Sequence, residues 1–168
     1  LIYGISAFGL SKQLGINRNL AAEYMDIYFS RYPGVRKYME KIKSDAKKIG
    51  YVETLYGRRL YLPEISTGNA IRRQAAERVA INAPVQGTAA DIIKLAMIKV
   101  QNKLKEIDSD SKILLQVHDE LVFEVPDDEI EEMKNIVVSN MESAALPLVN
   151  FKVPLKVDTK ISSSWDCA

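Results

Sequence analysis

Apolar residues recur along this chain with two periods, and the places where one period gives way to the other mark its elements. From Leu1 to Leu14, Ile2, Ile5 and Phe8 stand near helical spacing, but Gly4 and Gly9 interrupt them, which predicts short helices or helix ends. Asn17 stands where it can cap a helix from Arg18 to about Phe29, with Leu20, Tyr24, Ile27 and Tyr28 as its apolar stripe. Tyr32-Pro33-Gly34 breaks that helix. A second helix, from Val35 to about Lys48, sets Tyr38, Ile42 and Ala46 at intervals of four and ends at Gly50.

The period then drops to two. Tyr51 to Leu62 alternates around Tyr56-Gly57 and predicts a β-hairpin. Ile71 to about Leu104 is Ala-rich and helical, with Pro84 and Gly87 placed to kink or divide it. Lys112 to Val125 gives two apolar strands around His118-Asp119-Glu120, with Ile113, Leu115 and Val117 sharing one face of the first and Leu121, Phe123 and Val125 one face of the second. Asp127-Asp128-Glu129 opens a further helix to about Ala145, and Val153 to Val157 is a candidate last strand. The pattern is α+β, with helices outnumbering strands and part of the sheet's contacts expected from chain upstream of Leu1.

Composition adds exclusions. With 168 residues, 47% hydrophobic and 27% charged, the chain can bury a core, and it is too apolar for a disordered segment. A net charge of +1 means that any nucleic-acid partner must be argued from where charges sit. The single cysteine, Cys167, has no partner for an intramolecular disulfide and reads as a solvent-facing thiol in a reducing compartment, which points to the cytoplasm. No apolar run is long enough to span a bilayer. Leu1-Ile2-Tyr3-Gly4 begins inside an apolar segment without a helix-capping residue, so the N-terminus is expected to be a cut in a longer chain.

Two constellations carry candidate chemistry. The reversal at His118-Asp119-Glu120 presents adjacent carboxylates, hard oxygen ligands that suit Mg²⁺ completed by water and substrate phosphates. On spacing alone a solvated polar turn is the competing reading. On the Ala-rich helix, Arg78, Asn82 and Gln86 recur every four residues and line one face, a stripe of polar groups suited to minor-groove acceptors. Around them Ala75, Ala76, Val79, Ala80, Ile81, Ala83 and Val85 need something to pack against, and a plain solvent-facing side is the alternative for the stripe. Arg58, Arg59, Arg72 and Arg73 are candidates for backbone phosphates, and ordinary surface charge is the alternative for each singly. His118 is the only histidine; with one His and one Cys a zinc site is disfavoured, a histidine-based nucleophile triad has little support because no Ser sits in a G-x-S-x-G context, and no Walker-type or dinucleotide loop is present.

Gln116-Val117-His118-Asp119-Glu120-Leu121-Val122-Phe123 resembles the third conserved motif of family A DNA polymerases, and Leu1-Ile2-Tyr3-Gly4 resembles the end of their second. Tyr32-Pro33-Gly34, Gly57-Arg58-Arg59, Glu77 to Asp91 and the final Trp165-Asp166 are similar to the family in order and spacing, so the resemblance spans nearly the whole chain. It implies a right-hand polymerase fold in which residues 1–68 are a mainly helical part of the fingers, with a β-hairpin, and residues 69–168 the later, antiparallel-sheet part of the palm. It further implies that Asp119 is a catalytic metal ligand with Glu120 as a less essential acidic partner, and that His118 contacts the primer end. Tyr3 would lie where the templating base and new pair stack, at the nucleotide site. Arg78, Asn82 and Gln86 would contact primer-template DNA through its minor groove, with Arg72 and Arg73 also on DNA.

The implied activity of the parent, expected to be a cytoplasmic monomer, is extension of a primer 3′ end by deoxynucleoside triphosphates with two Mg²⁺ ions. The family's first motif with its metal-binding Asp, the upstream fingers Arg and Lys that hold the triphosphate, and the thumb have no counterpart here. The isolated chain is therefore expected to be inactive. A non-catalytic DNA-binding or interaction module is the rival reading, and a purely structural helical domain leaves both constellations unexplained.

Overall fold

A computed structural model describes residues 1–165, so Asp166 and the thiol expected at Cys167 lie outside the described residues. In chain order the elements are α1 (Ala7–Leu14), α2 (Arg18–Arg31), α3 (Pro33–Ile49), β1 (Tyr51–Glu53), β2 (Arg59–Tyr61), a 3-10 turn (Pro63–Ser66), α4 (Ala70–Glu106), β3 (Lys112–Val117), β4 (Glu120–Glu124) and α5 (Ile130–Glu142). The fold is α+β, with two antiparallel two-stranded sheets, β1-β2 and β3-β4. The chain divides into two compact units, Leu1–Gly87 and Thr88–Ala168.

In the first unit the caps act as their residue types dictate. Ser6 accepts from the Gly9 amide at 3.1 Å and Asn17 from Leu20 at 2.8 Å, each serving a donor that the first turn leaves without a helical partner. Pro33 opens α3, where a missing N–H costs nothing, and Gly50 closes it at φ +82°. The core joins Ala46, Val52, Leu62, Ile65, Ala76 and Ala80, with Ile42 and Ala83 packed against it. The stripe expected on α2 is out of phase by about one residue. Ala21 and Phe29 are buried, while Tyr24 and Ile27 are exposed. Small Ala21, eight residues before Phe29 on the same face, lets the helix approach its neighbours more closely than the larger residues would.

Helix α4 is continuous through Pro84, so the division expected there does not occur. The proline withholds the amide that would serve the Ala80 carbonyl, and donors from outside the helix reach this stretch. Tyr38 Oη donates to the Ile81 carbonyl at 3.1 Å, and Arg58 Nη2 donates to Gly87 O at 2.9 Å. Burial of Tyr38 pushes its phenol up. Of the apolar residues on this helix, Ala76, Ala80 and Ile81 find their packing, whereas Val79 and Val85 stay exposed.

In the second unit Val100, Leu104, Met133 and Val137 form the core, and Ile113, Phe123, Val125 and Met141 pack against it. Strand β3 carries a β-bulge. Ile113 pairs with Phe123 but Leu115 pairs with Val122, so Leu114 is an extra residue. The bulge reverses the phase of the strand. Ile113 shares a face with Phe123, while Leu115 and Val117 lie on the opposite face with Val122 and Glu120, so the common face expected for Ile113, Leu115 and Val117 is not formed. Val153–Val157, expected as a strand, is irregular, because a strand needs a hydrogen-bonding neighbour and neither sheet takes it up.

Candidate active site and nucleic-acid interface

The β3-β4 hairpin closes between Val117 and Glu120, leaving His118-Asp119 as a two-residue loop. Such loops need a positive φ, and His118 supplies it at +53°, a conformation His tolerates better than most side chains. The Gln116 side-chain Nε2 donates to the His118 carbonyl and ties the turn to the strand. His118, Asp119 and Glu120 are all exposed. Glu120 already belongs to β4 and shares its face with Val117. Asp119 is thus the carboxylate at the turn itself and Glu120 its neighbour on the strand.

Oxygen donors of this kind at an open tip fit a hydrated hard cation that also takes substrate oxygens, and they are too few for a closed protein cage. Among the described residues no group of three or more His, Cys, Asp or Glu side chains could hold a metal ion.

The second constellation belongs to the first unit. Leu1–Gly4 forms a turn, with the Gly4 amide donating to Leu1 O at 3.0 Å. Gly4 adopts φ +73°, and a Cβ there would stand 3.1 Å from Ile81 Cδ1 and 3.4 Å from Arg78 Cγ, so glycine is what lets the turn lie on α4. Asn82 Nδ2 donates to the Tyr3 carbonyl at 3.4 Å, and its Oδ1 is buried without a hydrogen-bond partner. Tyr3, Arg78 and Asn82 are thereby brought together. Tyr3 is 55% exposed. It joins Ile2, Val35, Tyr38, Asn82 and Val85 around a shallow, largely apolar pocket of about 300 Å³. Gln86 is exposed one helical turn beyond Asn82.

The four arginines are engaged with the protein. Arg59 Nε meets Glu53 at 2.6 Å and its guanidinium lies over the Tyr51 ring. Arg72 meets Glu64 at 3.5 Å, and Arg73 donates to Thr67 O at 2.9 Å. Arg58 braces Gly87, as above.

Sequence reading passed over two residues that the structure singles out. Tyr38 passed as one member of an apolar stripe, although its hydroxyl serves a helix carbonyl. Glu129 passed as part of an acidic helix start. Its carboxylate accepts from Ser109 Oγ, from Ser111 Oγ at 2.5 Å and from the Asp110 amide at 3.1 Å. The two serine hydroxyls and that amide hold the carboxyl below the ordinary glutamate range. The available signal was Ser109-Asp110-Ser111 immediately before an apolar strand.

The family model described as DNA polymerase family A matches residues 1–167. DNA polymerase I of Pseudomonas aeruginosa is 54% identical over 166 residues, covering 99% of this chain and 18% of that protein. DNA polymerase I of Mycobacterium bovis is 50% identical, covering 100% of this chain and 18% of that protein. Among solved structures, the POL domain of Pol1 from M. smegmatis, in complex with DNA primer-template and dNTP, superposes with a TM-score of 0.88 at 48% identity, over 92% of this chain and 27% of that one. The chain belongs to DNA polymerase family A. It spans less than a fifth of the length of the curated relatives above.

Proposed function

We propose that the complete protein carries out template-directed DNA synthesis, adding deoxynucleotides to a primer 3′ end with release of pyrophosphate, and that this chain supplies part of its fingers and the later part of its palm. The observation that carries the reading is the two-residue turn that presents Asp119 at the tip of an apolar hairpin, in a chain whose solved relative holds primer-template and dNTP.

Asp119 is the metal ligand in this reading, with Glu120 acting from a secondary position on the strand. Bound Mg²⁺ supplies charge that offsets the negative charge of the reacting phosphate. The chain's own residues position the reactants. His118 contacts the primer terminus. Tyr3 stacks at the nascent pair, from a turn that Gly4 seats on α4. Arg78, Asn82 and Gln86 meet the minor groove near the insertion site, where acceptors stand at similar places in every base pair, so that pair shape is sensed more than sequence. Arg72 and Arg73 reach phosphates only by exchanging their present partners. The parent acts as a cytoplasmic monomer, and no helix among the described residues is long and apolar enough to cross a membrane.

Asp119→Asn in the complete polymerase tests the assignment, because it removes a ligating charge and keeps the shape. Primer extension falls by about a hundred- to a thousandfold, as for loss of a group that stabilises transition-state charge, while DNA binding in a gel shift survives. Glu120→Gln is milder. Near-normal extension by Asp119→Asn would remove the metal-ligand reading and favour the non-catalytic DNA-binding module.

A further inference from the structure

The open end of the catalytic hairpin is closed by one side chain. Strand β3 is preceded by Ser109-Asp110-Ser111, and β4 leads through Val125 and Pro126 to Glu129 at the start of α5. The Glu129 carboxylate takes both serine hydroxyls and the Asp110 amide. Ser111 is 5% exposed, and its amide donates in turn to Ser109 Oγ at 3.0 Å. The loop is anchored from the other side by Ser109 N donating to Leu104 O at 3.1 Å, with Asp108 at φ +54° making the turn. The carboxylate thus pins residues 109–111, just ahead of β3, to the segment that follows β4.

What this pin decides is the register. The base pairs Lys112 with Glu124 and Ile113 with Phe123, whereas the tip pairs Val117 with Glu120, and the two registers differ by the one residue that Leu114 absorbs. Apolar packing alone chooses only weakly between this arrangement and a β3 whose base is slid by one residue relative to its tip. Burial is non-directional, and the slide would set Leu114 opposite Phe123 in place of Ile113, an exchange of near-equal volume costing under about 1.5 kcal/mol. The slide would also erase the bulge. A bulge bends its strand and adds twist, so erasing it re-aims the tip. Six strand residues place the tip about 20 Å from the clamp. A re-aiming of about 5° therefore moves Asp119 by roughly 2 Å, more than the misplacement of about 1 Å that costs on the order of a hundredfold in rate.

We infer that Glu129 is a positioning residue for polymerisation, which holds the bulged register of the β3-β4 hairpin and so aims Asp119. The inference rests on the metal-ligand reading of Asp119. Its test is made in the complete polymerase, with single-turnover nucleotide incorporation, the half-saturating Mg²⁺ concentration and the Kd for primer-template measured for each variant.

Glu129→Ala lowers the single-turnover rate about 10- to 100-fold and raises the half-saturating Mg²⁺, while the Kd for DNA stays within about twofold. Glu129→Gln, which keeps one acceptor, falls between Glu129→Ala and the unmodified enzyme. Deleting Leu114 removes the bulge outright and gives the same pair of defects, and adding Glu129→Ala to the deletion changes neither by more than about twofold, as for two changes acting through one feature. An unchanged rate and Mg²⁺ response in Glu129→Ala overturns the inference, and so does a defect that travels with lost DNA binding or adds in full to the Leu114 deletion. Asp119→Asn run alongside separates the two failures. Normal extension by it removes the metal-ligand reading and the inference with it, whereas an inactive Asp119→Asn beside a normal Glu129→Ala overturns the positioning role alone.

Discussion

Gly87 sits in α4 where a Cβ would stand 2.6 Å from Thr54 Cγ2 and 3.3 Å from Arg58 Nη2. Thr54 is nearly buried, and its hydroxyl already accepts from the amides of Tyr56 and Arg58, so its methyl group is not free to turn away. Overpacking of this kind costs about 1–3 kcal/mol, and the gain from Ala over Gly in a helix is about 1 kcal/mol. The clash wins. Gly87→Ala is expected to lower stability by up to about 2 kcal/mol in denaturant unfolding, whereas Gly34→Ala, which has nothing within 4 Å of its new methyl, is expected to leave stability unchanged or slightly raised. Equal effects at the two sites would show that helix propensity and not close approach governs Gly87.

Glu129 gives a second residue-scale expectation, in pH. Its folded carboxyl lies below the ordinary glutamate range because three donors favour the anion, so its contribution is complete above the unfolded value and is lost as pH falls through the folded one. The stability difference between the unmodified chain and Glu129→Gln should be constant near neutrality, shrink once pH drops past the ordinary glutamate range, and vanish below it. A difference that persists at the acid end would mean that the carboxylate charge is not what the serines hold. Neither residue was legible beforehand. Gly87 read as a helix breaker and Glu129 as a dipole charge, because each acts through a partner far along the chain, 33 residues away for Thr54 and 18 to 20 for the serines.

Elements were more legible than their faces. Helix ends followed from Asn17, Pro33 and Gly50, whose effects are local, and both hairpins followed from alternation around a turn. The α2 stripe and the face of β3 were misread for tertiary reasons, the close packing of Ala21 in one case and the Leu114 bulge in the other. At the candidate site, the tip at Asp119 was legible because three polar residues, His118-Asp119-Glu120, interrupt apolar strands, although Glu120 proves to belong to β4 and not to the turn. That Asn82 turns partly inward to the Tyr3 carbonyl was not, since helical spacing places a side chain on a face without saying what it meets.

The face itself makes an element-scale prediction. Arg78 and Gln86 are exposed on one side of α4, two intervals of four apart. If that side meets the minor groove, Arg78→Ala and Gln86→Ala in the complete polymerase change extension from mismatched or modified primer ends differently from matched ones. Each lost hydrogen bond is worth about 0.5–1.5 kcal/mol, or roughly 2- to 12-fold in rate. Steady-state extension on paired primer series reads this directly, and variants that treat every primer end as the unmodified enzyme does would mark the stripe as solvated surface.

At the scale of the whole molecule, the expectation is that the 168-residue chain alone shows no measurable polymerase activity. A two-metal site needs several protein carboxylates around the reacting phosphate, and the tip offers Asp119 with Glu120 beside it, with no cluster of three candidate ligands among the described residues. Mg²⁺ held by so few ligands stays largely hydrated and weakly bound. Folding does not remedy this, because the two cores are built from Ala46, Val52, Leu62 and Ile65 in one unit and Val100, Leu104, Met133 and Val137 in the other, none of them a ligand. Structure can therefore persist where chemistry cannot. DNA binding is the property that can survive, through exposed Arg78 and its neighbours, and it should weaken steeply with salt, because each phosphate contact releases counterions. Primer extension with the purified chain, Mg²⁺ and all four nucleotides, beside the complete polymerase as positive control, checks the first statement, and a salt titration of DNA binding checks the second. Robust template-dependent extension by the chain alone would mean that Asp119 and Glu120 suffice for the metals, and the account of a site shared with other parts of the polymerase would have to be abandoned.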